Sequence, residues 1–328
     1  MRWGVIGASQ IAETVVSAIA ALPGQQLVGV CSGSAARAAE FASQHGVAGS
    51  TTDMHELLAQ PLDAVYIGST NERHHAQTLA ALDAGYHVMC EKPLAMTQPE
   101  AAEMVRRAGQ RGKLLATNHH LRARPCHVRM RELIEQGAIG DVHGVQVSHA
   151  VFLRQSLQGW RIDNPGAGGG VVLDIMVHNA DLLRYLLGRE PRRIATFTQQ
   201  FGMGKGKLED GAMSVIEFDG GVLAQTHQSF VAANARTRLH VLGTRGTLYA
   251  VGSLSPAGDA TLTLRDDAGD HEEASPTVNL YEVAMRAFVD ACAGRGAPLA
   301  DGADGAKSLA VALAALRSAE SGRAETID

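Results

Sequence analysis

Arg2-Trp3-Gly4-Val5-Ile6-Gly7-Ala8-Ser9-Gln10-Ile11-Ala12 is the stretch on which the fold turns. Trp3 to Gly7 is a short apolar run of strand length with no polar alternation, as in a strand buried on both faces. Ile11, Val15, Ala18 and Leu22 follow at 4-3-4 spacing on one helical face, and Pro23-Gly24 stops that helix. A strand that feeds a helix through Gly7-Ala8-Ser9 occupies the position of a dinucleotide-binding turn. Small residues there let the backbone approach a pyrophosphate, and the helix N-terminus attracts its charge. The motif is degenerate, since Ser9 and Ala12 stand in place of its second and third glycines. Ser9 can also donate a hydrogen bond to phosphate. A plain tight turn is the competing reading.

The same rhythm continues downstream. Leu27 to Cys31, Ala64 to Gly68, His87 to Cys90 and Leu114 to Thr117 are further strand-length apolar runs with amphipathic helices between them. Thr97 and Glu100 form a capping-box pattern ahead of a helix that ends near Gly112. Strand, helix, strand in this order predicts right-handed βαβ units and a doubly wound parallel sheet, a Rossmann domain over residues 1–120. After His120 the pattern changes. Pro125 starts a helix that Gly137 and Gly140 end. Long β-forming runs then follow: Val142 to Val151, Arg193 to Gln200, Ala212 to Phe218, Val222 to Phe230, Thr237 to Leu242, Thr247 to Val251 and Thr261 to Leu264. Gly220-Gly221 and Gly243-Thr244-Arg245-Gly246 punctuate them like hairpin turns. Helices are predicted over Val171 to Leu187, Tyr281 to Ala293 and Lys307 to Ser321. Residues 121–328 thus read as an α+β domain built on a large, mainly antiparallel sheet.

Composition agrees with two domains, at roughly 150 residues each for a chain of 328. Twenty-nine basic against 34 acidic residues leave a net charge of −5, without the clustered positive charge that nucleic acid or an anionic membrane needs. The 36 glycines are scattered through apolar patterns rather than gathered in one tract. Cys31, Cys90, Cys126 and Cys292 have no metal-ligand spacing, and a chain this long needs no disulfide staples. No apolar run reaches about 18 residues, and a strand pattern begins at Arg2, which leaves no room for a secretory signal. A cytoplasmic protein is expected.

The end of the second strand bears on cofactor choice. An NAD site usually places an acid there for the ribose 2′-hydroxyl, whereas this chain reads Cys31-Ser32-Gly33-Ser34-Ala35-Ala36-Arg37, with no acid before Glu40. A hydroxyl at Ser32 and a guanidinium at Arg37 would bind a 2′-phosphate that a carboxylate would repel, so NADP(H) is predicted. The competing reading is that Arg37 is a solvated helix residue.

Two constellations carry chemistry. Glu91-Lys92-Pro93 follows a strand at the carboxyl edge where ligands bind in open α/β sheets, and a lysine there can polarise a substrate oxygen. Without that address it would read as a solvated loop. Asp174 and His178 lie four apart on a predicted helix and so share a face among the apolar Leu173, Val177 and Leu186. An acid beside an imidazole is a common way to orient a proton donor, and a structural ion pair or core histidine is the alternative. The glycines of Gly166-Ala167-Gly168-Gly169-Gly170 point to close approach of backbone or ligand. His74-His75 and His119-His120 are adjacent pairs that point apart, with no ligand-spaced acid or cysteine, so no metal is expected. Arg122, Arg124, Arg129 and Arg131 read as a solvated face rather than substrate contacts, and Trp160-Arg161 could be an aromatic–cation surface pair.

These features together resemble the Gfo/Idh/MocA family, the group of glucose–fructose oxidoreductase and inositol dehydrogenase, over essentially the whole chain. The stretches that carry the resemblance include Gly7-Ala8-Ser9, Ser69-Thr70-Asn71-Glu72, Cys90-Glu91-Lys92-Pro93-Leu94-Ala95-Met96-Thr97, Thr117-Asn118-His119-His120-Leu121-Arg122, Leu157-Gln158-Gly159-Trp160-Arg161, Asp174-Ile175-Met176-Val177-His178-Asn179-Ala180-Asp181 and Asn279-Leu280-Tyr281-Glu282. The resemblance implies that Gly7, Ser9, Gln10 and Ile11 wrap the pyrophosphate and that Ser32, Gly33 and Arg37 hold the adenosine ribose phosphate. Ser69, Thr70, Asn71 and His74 would line the groove under the cofactor, and Glu91, Lys92 and Asn118 would flank the nicotinamide ribose. Trp160, Arg161 and Tyr281 would reach the cofactor from the second domain, while Lys92, Asp174 and His178 would meet a sugar. Gln10 and Gly33 depart from the small or hydroxyl residues expected there. The implied reaction is NADPH-dependent reduction of a sugar ketone, with Lys92 and His178 sharing charge stabilisation and proton delivery in roles the sequence does not separate. An NAD(P)-dependent dehydrogenase of an inositol or other cyclic polyol is the nearest rival, because the chemistry is reversible. A non-catalytic NADP(H)-binding redox sensor is the rival from another class. Family members often pair as homo-oligomers through the C-terminal sheet.

Overall fold

The computed structural model describes residues 1–256 and 258–327. It divides into two compact units: Met1–His120 with Asn279–Ala306, and Leu121–Val278 with the chain from Lys307 on. The first begins with β1 (Arg2–Ile6), α1 (Gln10–Ala20), β2 (Gln26–Cys31), α2 (Ala35–His45), β3 (Gly49–Thr51), α3 (Met54–Leu58), β4 (Ala64–Ile67), α4 (His74–Asp83), β5 (His87–Cys90), α5 (Gln98–Arg111) and β6 (Leu115–Thr117). Its six strands run parallel in the order β3-β2-β1-β4-β5-β6, so the doubly wound sheet is as read from the pattern. Side chains fix the helix starts: Ser9, Ser34, Asp53 and Thr97 each cap one, and the Thr97–Glu100 capping box is present in both directions. The sequence reading passes over β3 and α3, because three largely exposed residues, Gly49-Ser50-Thr51, carry no apolar run.

The second unit carries α6 (Pro125–Glu135), β7 (Val142–Ala150), α7 (Trp160–Asp163), α8 (Val177–Leu187), β8 (Pro191–Gln199), β9 (Gly211–Phe218), β10 (Leu223–Ser229), β11 (Arg238–Gly243), β12 (Thr247–Val251), β13 (Thr261–Asp266) and β14 (Gly269–Glu273). The chain closes with α9 (Leu280–Cys292), α10 (Gly302–Ser321) and β15 (Glu325–Thr326). Nine strands form one sheet, β14-β13-β12-β11-β7-β10-β9-β8-β15, antiparallel except where β7 and β10 run parallel. Alternation sorts its faces. Val145, Val147, Ile216, Ala224, Leu239, Val241 and Leu248 are buried, while Phe197, Met213, Val215 and Leu223 of the opposite face are exposed.

Two expectations need correction. The segment Asn279–Ala306 belongs with the Rossmann unit and not with the second domain. In α9, Tyr281, Ala284, Met285 and Phe288 recur at helical spacing and pack into the core of Trp3, Val15 and Ile19, with the Trp3 and Phe288 rings 5.5 Å apart. That periodicity announces an apolar face but not the surface it covers. The arginines after His120 are also not one solvated face. Arg122 is buried and bonds both carboxylate oxygens of Asp181, at 2.8 and 2.6 Å. Arg124 is buried against the carbonyls of Ser255 and Gly258, while Arg129 and Arg131 make surface pairs with Glu273 and Glu135. Among the described residues, no helix is long and apolar enough to cross a membrane.

Candidate functional site

The turn between β1 and α1 is shaped by Gly7. Its φ is +101°, a conformation that a side chain rarely adopts, and a Cβ would lie 2.6 Å from the Ser69 amide nitrogen. The backbone is therefore drawn against the loop after β4. Ser9 completes the turn by accepting from the Ala12 amide and donating its hydroxyl to the Gly68 carbonyl at 2.6 Å. The hydroxyl proton is thereby committed to the protein, while the amides of the first helical turn have no intrahelical partner. After β2, Ser34 caps α2 and Ser32 is buried, while Gly33 and Arg37 are exposed. The Arg37 guanidinium has no carboxylate partner among the described residues.

The second cluster forms around β5 and β6. From Val88 to Ala95 every residue is buried except Lys92, which is partly exposed. Glu91 beneath it accepts from the Tyr66 hydroxyl at 2.9 Å, the Asn118 amide at 2.6 Å and the Lys92 backbone amide at 3.4 Å. Burial pushes the Glu91 carboxyl up, against the pull of the Asn118 hydrogen bond and the Lys92 charge. Burial also pushes the Tyr66 hydroxyl up, helped by the adjoining carboxylate. Glu91 thus secures the backbone that presents Lys92, a use the bare tripeptide could not reveal. The bond from Lys92 to Pro93 is cis. His74 also has a structural use. Its ring is fully buried between the Pro93 carbonyl, 2.8 Å from Nδ1, and the Ser69 carbonyl, 3.2 Å from Nε2, so it ties the two loops together. Burial lowers its pKa. Ser69 donates to Gln77 at 2.6 Å and Thr70 to Glu72 at 2.7 Å, and Asn71 is buried.

In the second unit, Asp174 and His178 are the only residues from Val171 to Arg184 that are not fully buried. The segment carrying them is not a uniform α-helix, since Val172–Met176 is a π-helical turn continuous with α8. Such turns occur often at functional sites, where the wider coil re-aims side chains. Arg161 reaches Asp174 with its Nε 3.4 Å from Oδ1, and its guanidinium lies over the Trp160 ring at 4.6 Å. The aromatic–cation pair therefore exists, and it also bears on the acid. The His178 ring is 6.3 Å from that of His149 on β7, whose Nδ1 meets Asn179 Oδ1 at 2.9 Å. The glycine run ahead of Asp174 makes room for protein: a Cβ on Gly169 would lie 2.7 Å from the Trp160 carbonyl, and one on Gly170 would lie 2.4 Å from the Glu209 carboxylate. Glu209, pushed up by burial, accepts from the Val172 amide at 2.9 Å and so holds the start of the π turn. Tyr281 stands in the first unit, stacked at 4.5 Å on His120 and buried, which pushes its hydroxyl up. His75 is paired with Glu103 at 3.0 Å. Among the described residues, no three side chains of metal-ligand type come together.

Residues 1–119 match the model of the oxidoreductase family with an NAD-binding Rossmann fold, and residues 127–249 match the GFO/IDH/MocA C-terminal domain. The chain belongs to the GFO/IDH/MocA oxidoreductase family. Within that family it is 46% identical to the 1,5-anhydro-D-fructose reductase of Ensifer adhaerens, over 100% of this chain and 98% of that one. It is 31% identical to the D-glucoside 3-dehydrogenase of Escherichia coli (strain K12), over 98% and 96% respectively. The fold matches that of the aldose-aldose oxidoreductase of Caulobacter crescentus, solved with glycerol, at a TM-score of 0.90 and 24% identity over 99% of both chains.

The residues present fit the dinucleotide of a GFO/IDH/MocA oxidoreductase. Gly7, at φ +101°, lets the turn close on the Gly68–Ser69 backbone, so that α1 opens with its first-turn amides free of intrahelical partners. Buried Asn118 Oδ1, beside the Glu91 carboxylate, has no hydrogen-bond partner among the described residues and so offers an acceptor. Gly7→Ala is expected to lose dinucleotide binding and about 1–3 kcal/mol of stability from backbone strain alone. NADPH titration and thermal melting check this, and parental behaviour in both would remove Gly7 from the site.

Proposed function

We propose that this GFO/IDH/MocA member reduces a sugar ketone with NADPH, taking 1,5-anhydro-D-fructose to 1,5-anhydro-D-mannitol. The observation that carries the substrate is the 46% identity, over the full chain, to a 1,5-anhydro-D-fructose reductase. The bound nicotinamide supplies a hydride to the carbonyl carbon, C2 of the sugar. Lys92 polarises the carbonyl and meets the negative charge that grows on its oxygen. His178 delivers the proton, with Asp174 holding the imidazole in position and Arg161 anchoring Asp174. Gly7, Gln10 and Ile11 receive the pyrophosphate, and Glu91, His74 and Asn118 keep the Lys92 loop in place. Trp160 and Arg161 serve the nicotinamide end.

NADPH rather than NADH is favoured by the absence of a carboxylate after β2 and by the exposed Arg37. Arg37→Ala is expected to raise KM for NADPH about tenfold while leaving that for NADH within about twofold. A parent enzyme with a clear NADH preference would overturn the cofactor assignment. The 31% identity to a D-glucoside 3-dehydrogenase supports a second reading, oxidation of a sugar hydroxyl. A panel of sugar ketones with NADPH, run beside sugars and cyclic polyols with NADP⁺ and NAD⁺, separates the two. Turnover of 1,5-anhydro-D-fructose with NADPH is the expected result, and silence on every ketone would overturn it. The reading places the enzyme in the cytoplasm, where NADP is kept reduced. It also pairs two copies through the outer sheet face, where Phe197 is 80% and Met213 52% exposed.

A further inference from the structure

The loop after β4 contains a second cation that the 2′-phosphate reading does not use. Arg73 ends the short helical turn Asn71–Arg73, and its side chain is 60% exposed. Nε is held by Glu72 Oε1 at 3.4 Å, and Glu72 is itself fixed by the Thr70 hydroxyl at 2.7 Å. Nη1 reaches to 3.9 Å from the position a Cβ would take on Gly33, in the loop after β2. β2 and β4 flank β1 in the sheet, so Arg73 crosses the carboxyl edge of β1 to the loop after β2 that holds Ser32 and Gly33 and leads into the first turn of α2 with Arg37. An exposed pair of neighbours such as Arg73 and Glu72 adds little to stability, so folding does not explain this reach.

We infer that Arg73 is a second specificity-determining cation for the adenosine 2′-phosphate, acting with Ser32 and Arg37. This rests on the NADP(H) reading above. A dianionic phosphate has oxygens enough for two guanidinium groups from opposite sides, and each charge-assisted contact strengthens discrimination against the bare 2′-hydroxyl. Glu72 directs Arg73 without blocking it, because it engages Nε and leaves the Nη edge outward.

The test is calorimetric titration of the full chain with 2′,5′-ADP and with 5′-ADP, which differ only in the 2′-phosphate. The parent is expected to bind 2′,5′-ADP more tightly. Arg73→Leu is expected to weaken 2′,5′-ADP about tenfold, leave 5′-ADP within about twofold, and be partly rescued in Arg73→Lys. Arg37→Ala is the control. If Arg37→Ala weakens 2′,5′-ADP and Arg73→Leu does not, this inference falls and the NADP(H) reading stands. If the parent binds both nucleotides equally, both fall. Unchanged melting of Arg73→Leu, expected for an exposed side chain, shows that the binding change is local.

Discussion

His178→Ala is expected to bind NADPH with parental affinity and to lose about 10²–10⁴ of kcat. The separation follows from the architecture. The turn at Gly7 and the loops after β2 and β4 belong to the Rossmann unit, whereas His178 stands on α8 of the other. Removing the imidazole should therefore spare the nucleotide and withdraw an interaction made only as the alkoxide forms. A loss confined to the transition state lowers kcat and kcat/KM together. His178 is half-buried and its neighbours from Val171 to Arg184 are packed, so a melting curve belongs beside the kinetics. Stopped-flow absorbance of NADPH with 1,5-anhydro-D-fructose measures the step, and near-parental turnover would remove His178 from the mechanism.

Lys92→Met is expected to cost about 2.7–4 kcal/mol in the barrier, or about 10²–10³ in rate. Methionine keeps most of the stem volume and deletes only the charge. The surrounding loop should hold, because its anchors are backbone and buried side chains: Glu91 on the Lys92 amide and His74 on the Pro93 carbonyl. Lys92→Arg is expected to recover little, since a planar guanidinium does not replace a compact ammonium at a single oxygen. If Lys92→Met raises KM and leaves kcat intact, Lys92 binds substrate without stabilising the alkoxide, and the assigned role is wrong.

Much of the candidate site is legible without coordinates because its residues sit where local pattern is strongest. Gly7 stands at the end of a buried strand and the start of an amphipathic helix, and the Thr97–Glu100 box marks its helix with side chains alone. Lys92 follows an apolar run that reads as β5. What stayed hidden involves partners distant in sequence. Tyr66 and Asn118 meet Glu91 across 25 and 27 residues. The Glu209 carboxylate reaches back 37 residues to the Val172 amide. Gly169 and Gly170 read equally well as ligand space until the Trp160 carbonyl and the Glu209 carboxylate are found occupying it. The π turn at Asp174 has no signature in periodicity, because Val171-Val172-Leu173 and Ile175-Met176-Val177 are apolar on every side and leave no stripe whose phase could shift.

Chain order and hydrophobic period indicated the two architectures, the parallel sheet with its dinucleotide turn and the mainly antiparallel sheet that follows, because the period that marks a strand or a helix and the length of the connection between them are local features. They also supplied the absence of an acid after β2 and the spacing of Asp174 and His178. Tertiary structure decided which surface each apolar face covers. It put α9 on the Rossmann core, turned Arg122 from solvent to Asp181, and committed the Ser9 hydroxyl to Gly68. Those choices depend on which distant groups the fold makes neighbours. A buried donor or charge must find its partner there, because water no longer supplies one.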